Sequence, residues 1–191
     1  EGLGTVEGRV IDAKSGKPVT QFDVGHSLGL ASTFNYQTNN FVSFFSEEGE
    51  FSLTSVQAGE ATLYARSPGY APQIQQVPQV VADDVVGGVL FRLEPGAAIE
   101  GRVIDLEGAP VENAQIFLLA RVDQWMIEQV QYGGGFAPAA TTDANGQFMV
   151  DSIGGDLTKI TVVHSDYPNE TVDGALALGQ VSTVEIVMTG G

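Results

Sequence analysis

Apolar and polar residues alternate along several short stretches of this chain. The alternation is clearest over Val6–Ile11, Glu50–Thr54 and Thr183–Met188, where apolar side chains occupy every second position. A period of two is typical of a strand with one buried face. Ser-Gly, Glu-Gly, Asn-Gly and Pro-Gly pairs lie between such stretches and supply the positive φ of tight turns. The pattern predicts an all-β fold of short strands, a sandwich or a barrel.

The same ordered pattern occurs twice. Val6–Asp12 (VEGRVID) returns as Ile99–Asp105 (IEGRVID). The other paired blocks, in the same order, are Pro18-Val19 with Pro110-Val111, and Gly49–Leu53 (GEFSL) with Gly146–Val150 (GQFMV). We interpret the chain as a duplication whose boundary falls near Leu93-Glu94-Pro95-Gly96. Two domains follow, 1–95 and 96–191, each long enough to bury its own core.

Charge and composition exclude several classes of function. The net charge is −16, from 24 acidic and 8 basic residues. Phosphate backbones and anionic lipid surfaces would repel such a chain, so we expect no nucleic-acid partner. No apolar stretch approaches the roughly 18 residues of a membrane-spanning helix, so we expect no membrane insertion. The chain has no cysteine, which rules out thiol catalysis and zinc–thiolate sites.

The order of the motifs resembles the carboxypeptidase regulatory-like domain. The second repeat fits through Gly101–Asp105, Gly108–Val111 and Thr142–Phe148; the first fits through Gly8–Asp12, Gly16–Val19 and Ser67-Pro68-Gly69-Tyr70. The first repeat departs at Ser46–Gly49, where the family has Thr-Asp-x-x-Gly. The resemblance covers nearly the whole chain except two inserts. It implies two tandem transthyretin-like, Greek-key β-sandwiches, and no catalytic residues to transfer.

The chain offers little chemistry of its own. His26 and His164 lie in different repeats, and neither has a carboxylate three residues on, as a zinc peptidase would require. We therefore expect no enzyme activity and no cofactor. Asp143 and Asn145 are a weak candidate for calcium, because the distal bidentate glutamate of an acidic loop is missing. A type I′ hairpin turn at Asn145-Gly146 explains that segment better.

Each repeat carries an insert rich in aromatic and amide side chains. The candidate ligand-binding residues there are Phe34, Tyr36, Phe44, Trp125 and Tyr132. Aromatic rings stack on the apolar faces of sugars, and amides bond hydroxyl groups. The same rings could instead anchor a protein interface, or fill a longer core or the seam between the repeats. In the first insert Phe34, Tyr36 and Phe44 fall on even positions and Phe41 and Phe45 on odd ones, so one regular strand cannot bury all five. Some of these rings must lie outward, sit in a loop or pack against the neighbouring repeat.

These observations favour a non-catalytic structural and binding module, a spacer and recognition domain, from a larger secreted or cell-surface protein. Its partners would be neighbouring domains of the parent chain and a glycan or protein ligand. One alternative is a carbohydrate-binding module attached to a polysaccharide-degrading enzyme. Another is an accessory domain that stabilises a peptidase.

Overall fold

A computed structural model of the protein describes residues 2–28, 41–119, 138–154, 159–174 and 176–190. These residues form fourteen β-strands and no helix. The chain divides into two compact units, Glu1–Pro95 and Gly96–Gly191. The strands of the first unit are β1 (Leu3–Asp12), β2 (Gln21–Leu28), β3 (Val42–Phe45), β4 (Glu50–Gln57), β5 (Gly59–Arg66), β6 (Gln73–Val80) and β7 (Val85–Leu93). Those of the second are β8 (Ala97–Ile104), β9 (Gln115–Leu119), β10 (Ala140–Thr141), β11 (Gln147–Ile153), β12 (Lys159–His164), β13 (Tyr167–Asp173) and β14 (Val181–Val187).

The first unit is a sandwich of two sheets. One sheet has the order β4-β1-β7, with β1 antiparallel to β4 and parallel to β7. The other has the order β3-β2-β5-β6 and is antiparallel throughout. The sheets face each other across one core, because its buried residues come from both. They include Val6, Val10, Phe22, Val24, Phe51, Leu63, Phe91 and Leu93.

The second unit repeats this arrangement strand for strand. Its sheets have the orders β11-β8-β14 and β10-β9-β12-β13, and β8 is parallel to β14. Its core includes Ile99, Val103, Ile116, Phe148, Ile160, Val162, Ile186 and Met188. The prediction of an all-β fold of sandwich units is therefore confirmed.

The alternation in the sequence corresponds to burial. Phe51 and Leu53 are buried, whereas Glu50, Ser52 and Thr54 between them are exposed. The last strand behaves alike, since Thr183, Glu185 and Val187 are exposed and Ile186 is buried. The period of two thus determines which face of each strand packs on the core.

The glycine of each Glu-Gly-Arg motif makes room for an aromatic ring. Gly8 lies opposite Phe51 across the β1–β4 pair, and Gly101 lies opposite Phe148 across the β8–β11 pair. A Cβ at Gly8 would lie 2.7 Å from the Phe51 ring, and one at Gly101 would lie 2.1 Å from the Phe148 ring. Each repeat therefore needs glycine there, because a larger residue would displace the central phenylalanine.

Candidate ligand-binding surfaces

Of the predicted ligand-binding residues, only Phe44 lies within the described chain. Phe44 is half-buried and packs against the core of the first unit. Its ring stacks on Phe22 at a centroid distance of 5.7 Å and lies 6.0 Å from Phe51. Phe34, Tyr36, Trp125 and Tyr132 lie outside the described residues.

The outward ring belongs to Phe45, which was not singled out from the sequence. Phe45 follows Phe44 in β3, so the two side chains lie on opposite faces of the sheet. Phe45 is 76% exposed and lies opposite Gln21 of β2. The alternation along β3 required one of the two rings to face outward, but only the pairing with β2 shows which one.

A polar cluster lies on the same outward face. Asp23 pairs with Ser43 on one side and with Arg66 on the other. The Ser43 hydroxyl donates to the Asp23 carboxylate at 2.7 Å, and Nε of Arg66 donates to it at 2.9 Å. The Arg66 guanidinium also lies 4.0 Å from the centre of the Phe41 ring. The carboxylate and the ring hold the guanidinium in one orientation.

Together these residues form a surface that we call the β3 face: Asp23, Phe41, Ser43, Phe45 and Arg66. No described residue accepts a hydrogen bond from the terminal nitrogens of Arg66. Within the described residues, the β3 face presents an exposed ring for stacking and the guanidinium of Arg66, which Asp23 and Phe41 orient. Such a combination suits a hydroxyl-rich or carbonyl-rich ligand that also has an apolar face.

Equivalent grooves lie along the three-stranded sheets of the two units. In the first unit the groove has a volume of ≈ 870 Å³, and its lining includes Glu7, Arg9, Phe44, Glu50 and Leu90. In the second its volume is ≈ 520 Å³, and its lining includes Glu100, Arg102, Gln147, Met149 and Glu185. Both grooves are shallow and lined by acidic as well as basic side chains.

The arginines of these grooves also donate hydrogen bonds to a turn in their own unit. Arg9 donates two hydrogen bonds, of 3.1 and 2.9 Å, to the carbonyl oxygen of Glu48. Arg102 donates one of 3.4 Å to that of Asn145. Each arginine thereby supports the turn that precedes the fourth strand of its unit.

The segment proposed as a calcium candidate is a turn that its own side chain closes. Oδ1 of Asp143 accepts hydrogen bonds from the backbone N–H groups of Asn145 and Gln147, at 2.8 and 2.9 Å. That oxygen therefore already accepts two backbone hydrogen bonds within the turn. Among the described residues, no group of three histidine or acidic side chains is placed to hold a metal ion.

The prediction of a type I′ turn at Asn145-Gly146 is wrong. A type I′ turn needs positive φ at both residues, and only Gly146 has it, at 72°. The N–H of Gly146 donates to the Asp143 carbonyl at 2.9 Å, and the N–H of Asp143 donates to the Gln147 carbonyl at 2.9 Å. The loop is thus one residue longer, a type I turn followed by a left-handed glycine.

The two histidines occupy structural positions. His26 lies in β2 opposite Leu63, on the core face of the sheet, and burial lowers the pKa of its imidazole. Nδ1 of His164 accepts a hydrogen bond from the N–H of Asp166 at 3.2 Å. Its Nε2 therefore carries the proton and donates to the Glu112 carbonyl at 3.1 Å.

Residues 98–189, nearly the whole second unit, match the carboxypeptidase regulatory-like domain family. No curated protein matches the chain. None of the described segments is an apolar helix of membrane-spanning length.

The solved structures that the chain resembles weakly include three proteins of Gram-positive bacteria. The minor pilin GBS52 of Streptococcus agalactiae is 9% identical with a TM-score of 0.42, over 98% of this chain and 96% of that one. The shaft pilin SpaA of Lactobacillus rhamnosus GG is 12% identical with a TM-score of 0.35, over 100% and 98%. The Bacillus anthracis TIE protein is 13% identical with a TM-score of 0.38, over 99% of this chain but only 34% of that one. Values this low support no inference about what the chain binds or does.

Proposed function

We propose that the chain is a non-catalytic spacer and recognition module of a larger secreted or cell-surface protein. One observation carries the spacer role: the first and last strands of each unit are parallel neighbours. In the first unit Thr5 pairs with Val85 and Asp12 with Leu93. In the second unit Ala98 pairs with Val181 and Ile104 with Val187. Because the strands run in the same direction, the chain enters each unit at one end of the sheet and leaves it at the other.

A unit built in this way suits an extended tandem array. A ten-residue strand spans about 33 Å, so each unit adds a fixed length between the domains before and after it. Tension applied at the ends pulls β1 and β7 in opposite directions along their length. The evenly spaced hydrogen bonds of the parallel pair are then loaded together and not one after another.

Single-molecule pulling on the full chain tests the spacer role. Held by its two ends, the chain should unfold in two steps, one for each unit. The matched control attaches the handles at Leu3 and Gln57, which lie opposite each other across the antiparallel β1–β4 pair. That geometry peels the strands apart one bond at a time and should need less force. Equal forces in the two geometries would contradict the spacer proposal.

We also propose that the first unit is a second carboxypeptidase regulatory-like domain. Support comes from its strand order and from its Gly8–Phe51 pair, which matches Gly101–Phe148. The sequence at Ser46–Gly49 departs from the family pattern, yet the turn before β4 keeps the same hydrogen bond as the turn before β11. The Ser46 hydroxyl accepts the N–H of Glu50 at 3.0 Å, as the Asp143 carboxylate accepts that of Gln147. The cell-exterior setting rests on the family match of the second unit alone.

Recognition is proposed for the β3 face, with a neutral glycan as the first ligand class to test and a protein as the second. Affinity electrophoresis against neutral polysaccharides is the direct measurement. Phe45→Ala should abolish retardation and leave the melting temperature within a few degrees, because surface truncations usually cost less than about 0.5 kcal/mol. Val85→Ala, which removes an exposed apolar side chain from the other sheet of the unit, is the control. Retardation that survives Phe45→Ala would exclude the β3 face as the site.

Binding experiments distinguish the two alternative functions, a carbohydrate-binding module and an accessory domain of a peptidase. A carbohydrate-binding module should bind polysaccharide as the isolated chain. An accessory domain of a peptidase should bind none, and should instead stabilise the catalytic domain of its parent protein when both are present.

A further inference from the structure

Along the outer edge of β14, alternate residues direct their backbone N–H and C=O groups away from the described sheet. In a parallel pair, alternate residues direct both N–H and C=O toward the partner strand. On β14 those are the even residues, since Gln180 accepts from Ala98 at 2.9 Å and Met188 donates to Ile104 at 2.8 Å. Val181, Thr183, Glu185 and Val187 therefore direct theirs away from β8, and no described residue pairs with them.

The other seven sheet edges each carry a feature that discourages pairing. Two edge strands are short: β3 has four residues and β10 has two. Two contain proline, Pro78 in β6 and Pro168 in β13. Three are interrupted by bulges with a residue of positive φ: Ser55 in β4, Gly88 in β7 and Ser152 in β11.

The equivalent edge strand of the first unit, β7, has two features that discourage pairing and that β14 lacks. In the first unit the bulge at Gly88 bends the strand, and the side chain of Gln73 accepts the outward N–H of Arg92 at 2.9 Å. β14 runs beside β8 with no break in register over seven residues. It contains no proline and a single charge, Glu185.

We propose that β14 pairs with β14 of a second copy of this chain, antiparallel and centred on Val184. This register places Val181 of one copy opposite Val187 of the other, and Thr183 opposite Glu185. All four outward residues of each copy then find backbone partners. The two three-stranded sheets become one of six strands.

Side-chain exposure and charge both favour this register. Val181 is 58% exposed and Val187 38%, so each cross-strand pair removes two valines from water. A shift of two residues in one direction would place Glu185 opposite Glu185, which is repulsive. The centred register places each glutamate opposite a neutral threonine.

The net charge of the chain determines how the association depends on salt. Two copies of the chain, each with a net charge of −16, repel each other over about one Debye length, which becomes shorter as salt is added. The proposed contact itself contains no like-charge pair. Added salt should therefore strengthen the dimer, whereas a dimer held by ion pairs would weaken.

Sedimentation equilibrium of the full chain over a range of concentrations, at low and at high salt, tests the proposal. The native chain should show a monomer–dimer equilibrium that salt shifts toward dimer. Thr183→Arg, which faces Glu185 of the second copy, should tighten the dimer about tenfold, and Thr183→Glu should weaken it about tenfold. A chain that stays monomeric at every concentration and salt would overturn the proposal, as would two variants that act alike.

A matched pair of lysine variants locates the interface. Val181→Lys adds a charge at the free edge of β14, and Val85→Lys adds the same charge at the equivalent position of β7. Val181 and Val85 are similarly exposed, at 58% and 53%. Only Val181→Lys should weaken the dimer, and both should keep the native melting temperature. Equal effects of the two variants would show that neither acts through the β14 edge and would reject β14 as the interface.

Discussion

The phenol of Tyr70 donates a hydrogen bond of 2.9 Å to the carboxylate of Asp12, 58 residues earlier in the chain. The other carboxylate oxygen accepts the backbone N–H groups of Lys14 and Ser15, at 2.9 and 2.7 Å. The Ser15 N–H, followed by the Tyr70 hydroxyl, lowers the pKa of Asp12. Tyr70 therefore joins the segment after β5 to the turn after β1.

The second unit has an equivalent tyrosine–aspartate contact. Tyr167 lies beside Asp105, and burial, followed by the charges of Asp105 and Glu107, raises the pKa of Tyr167. Asp105 in turn accepts the N–H groups of Glu107 and Ala109, at 3.0 and 2.8 Å. The contact thus recurs at the same end of both sandwiches.

Tyr70→Phe should destabilise the first unit by about 1 kcal/mol at neutral pH, the usual net contribution of one hydrogen bond. Chemical denaturation followed by circular dichroism measures the loss. A double-mutant cycle with Asp12→Ala provides the control, because a coupling energy near the single-mutant effect identifies the Tyr70–Asp12 bond as its source. A coupling near zero would show that Tyr70 acts through packing instead.

The sequence predicted the strands well because the alternation of residues is a local property. The duplication added the long-range order, since two matched series of blocks imply two matched sandwiches. The direction of Phe44 and Phe45 was not predictable, because it depends on the pairing of Phe45 with Gln21 in another strand. Neither tyrosine–aspartate contact was predicted, because each joins residues far apart in the sequence, Tyr70 with Asp12 and Tyr167 with Asp105.

Turn geometry shows the same limit. Asn145-Gly146 fits a type I′ turn by residue type, yet the loop closes between Asp143 and Gln147. The side chain of Asp143 accepts two backbone N–H groups within the longer loop and so favours it. Residue preference alone cannot rank two turns that differ by one position of strand register.

Gly101→Ala should destabilise the second unit by about 1–3 kcal/mol, as overpacking of a filled core usually does. The added methyl group would lie 2.1 Å from the Phe148 ring, which must then leave its position over β8. Gly154→Ala is the control, because no described residue beyond its chain neighbours has an atom within 4 Å of a Cβ there. Thermal unfolding of the two variants measures the difference, and equal melting temperatures would contradict the account of the Glu-Gly-Arg motif.

Acidification below neutral pH should destabilise the first unit through His26. Burial depresses the pKa of His26 in the folded chain, whereas the unfolded chain keeps a value near 6.5. The unfolded state therefore binds the proton more tightly, and stability falls as the pH drops below 6.5 toward the folded-state pKa. Well above pH 6.5 the imidazole is neutral in both states, and the residue contributes no pH dependence.

Amide hydrogen exchange of β2 and β5 measures this effect in the full chain. Protection should fall between neutral pH and mildly acidic pH, after correction for the intrinsic exchange rate. His26→Leu should remove the change, because leucine does not titrate and suits the core face opposite Leu63. A fall in protection that persists in His26→Leu would assign the pH dependence to another group.

Residues 1–95 and 96–191 should each fold when expressed alone. The core of the first unit draws on residues from Val6 to Leu93, and that of the second on residues from Ala97 to Met188. Each fragment thus keeps every strand that contributes to its own core, and domains of this size are stable without cross-links. Calorimetry of each fragment should show one cooperative transition. A control fragment that ends at Val80 lacks the fully buried Phe91 and Leu93 and should show none. If either 1–95 or 96–191 lacked a transition, the unit would depend on the rest of the chain, and its use as an independent spacer would be untenable.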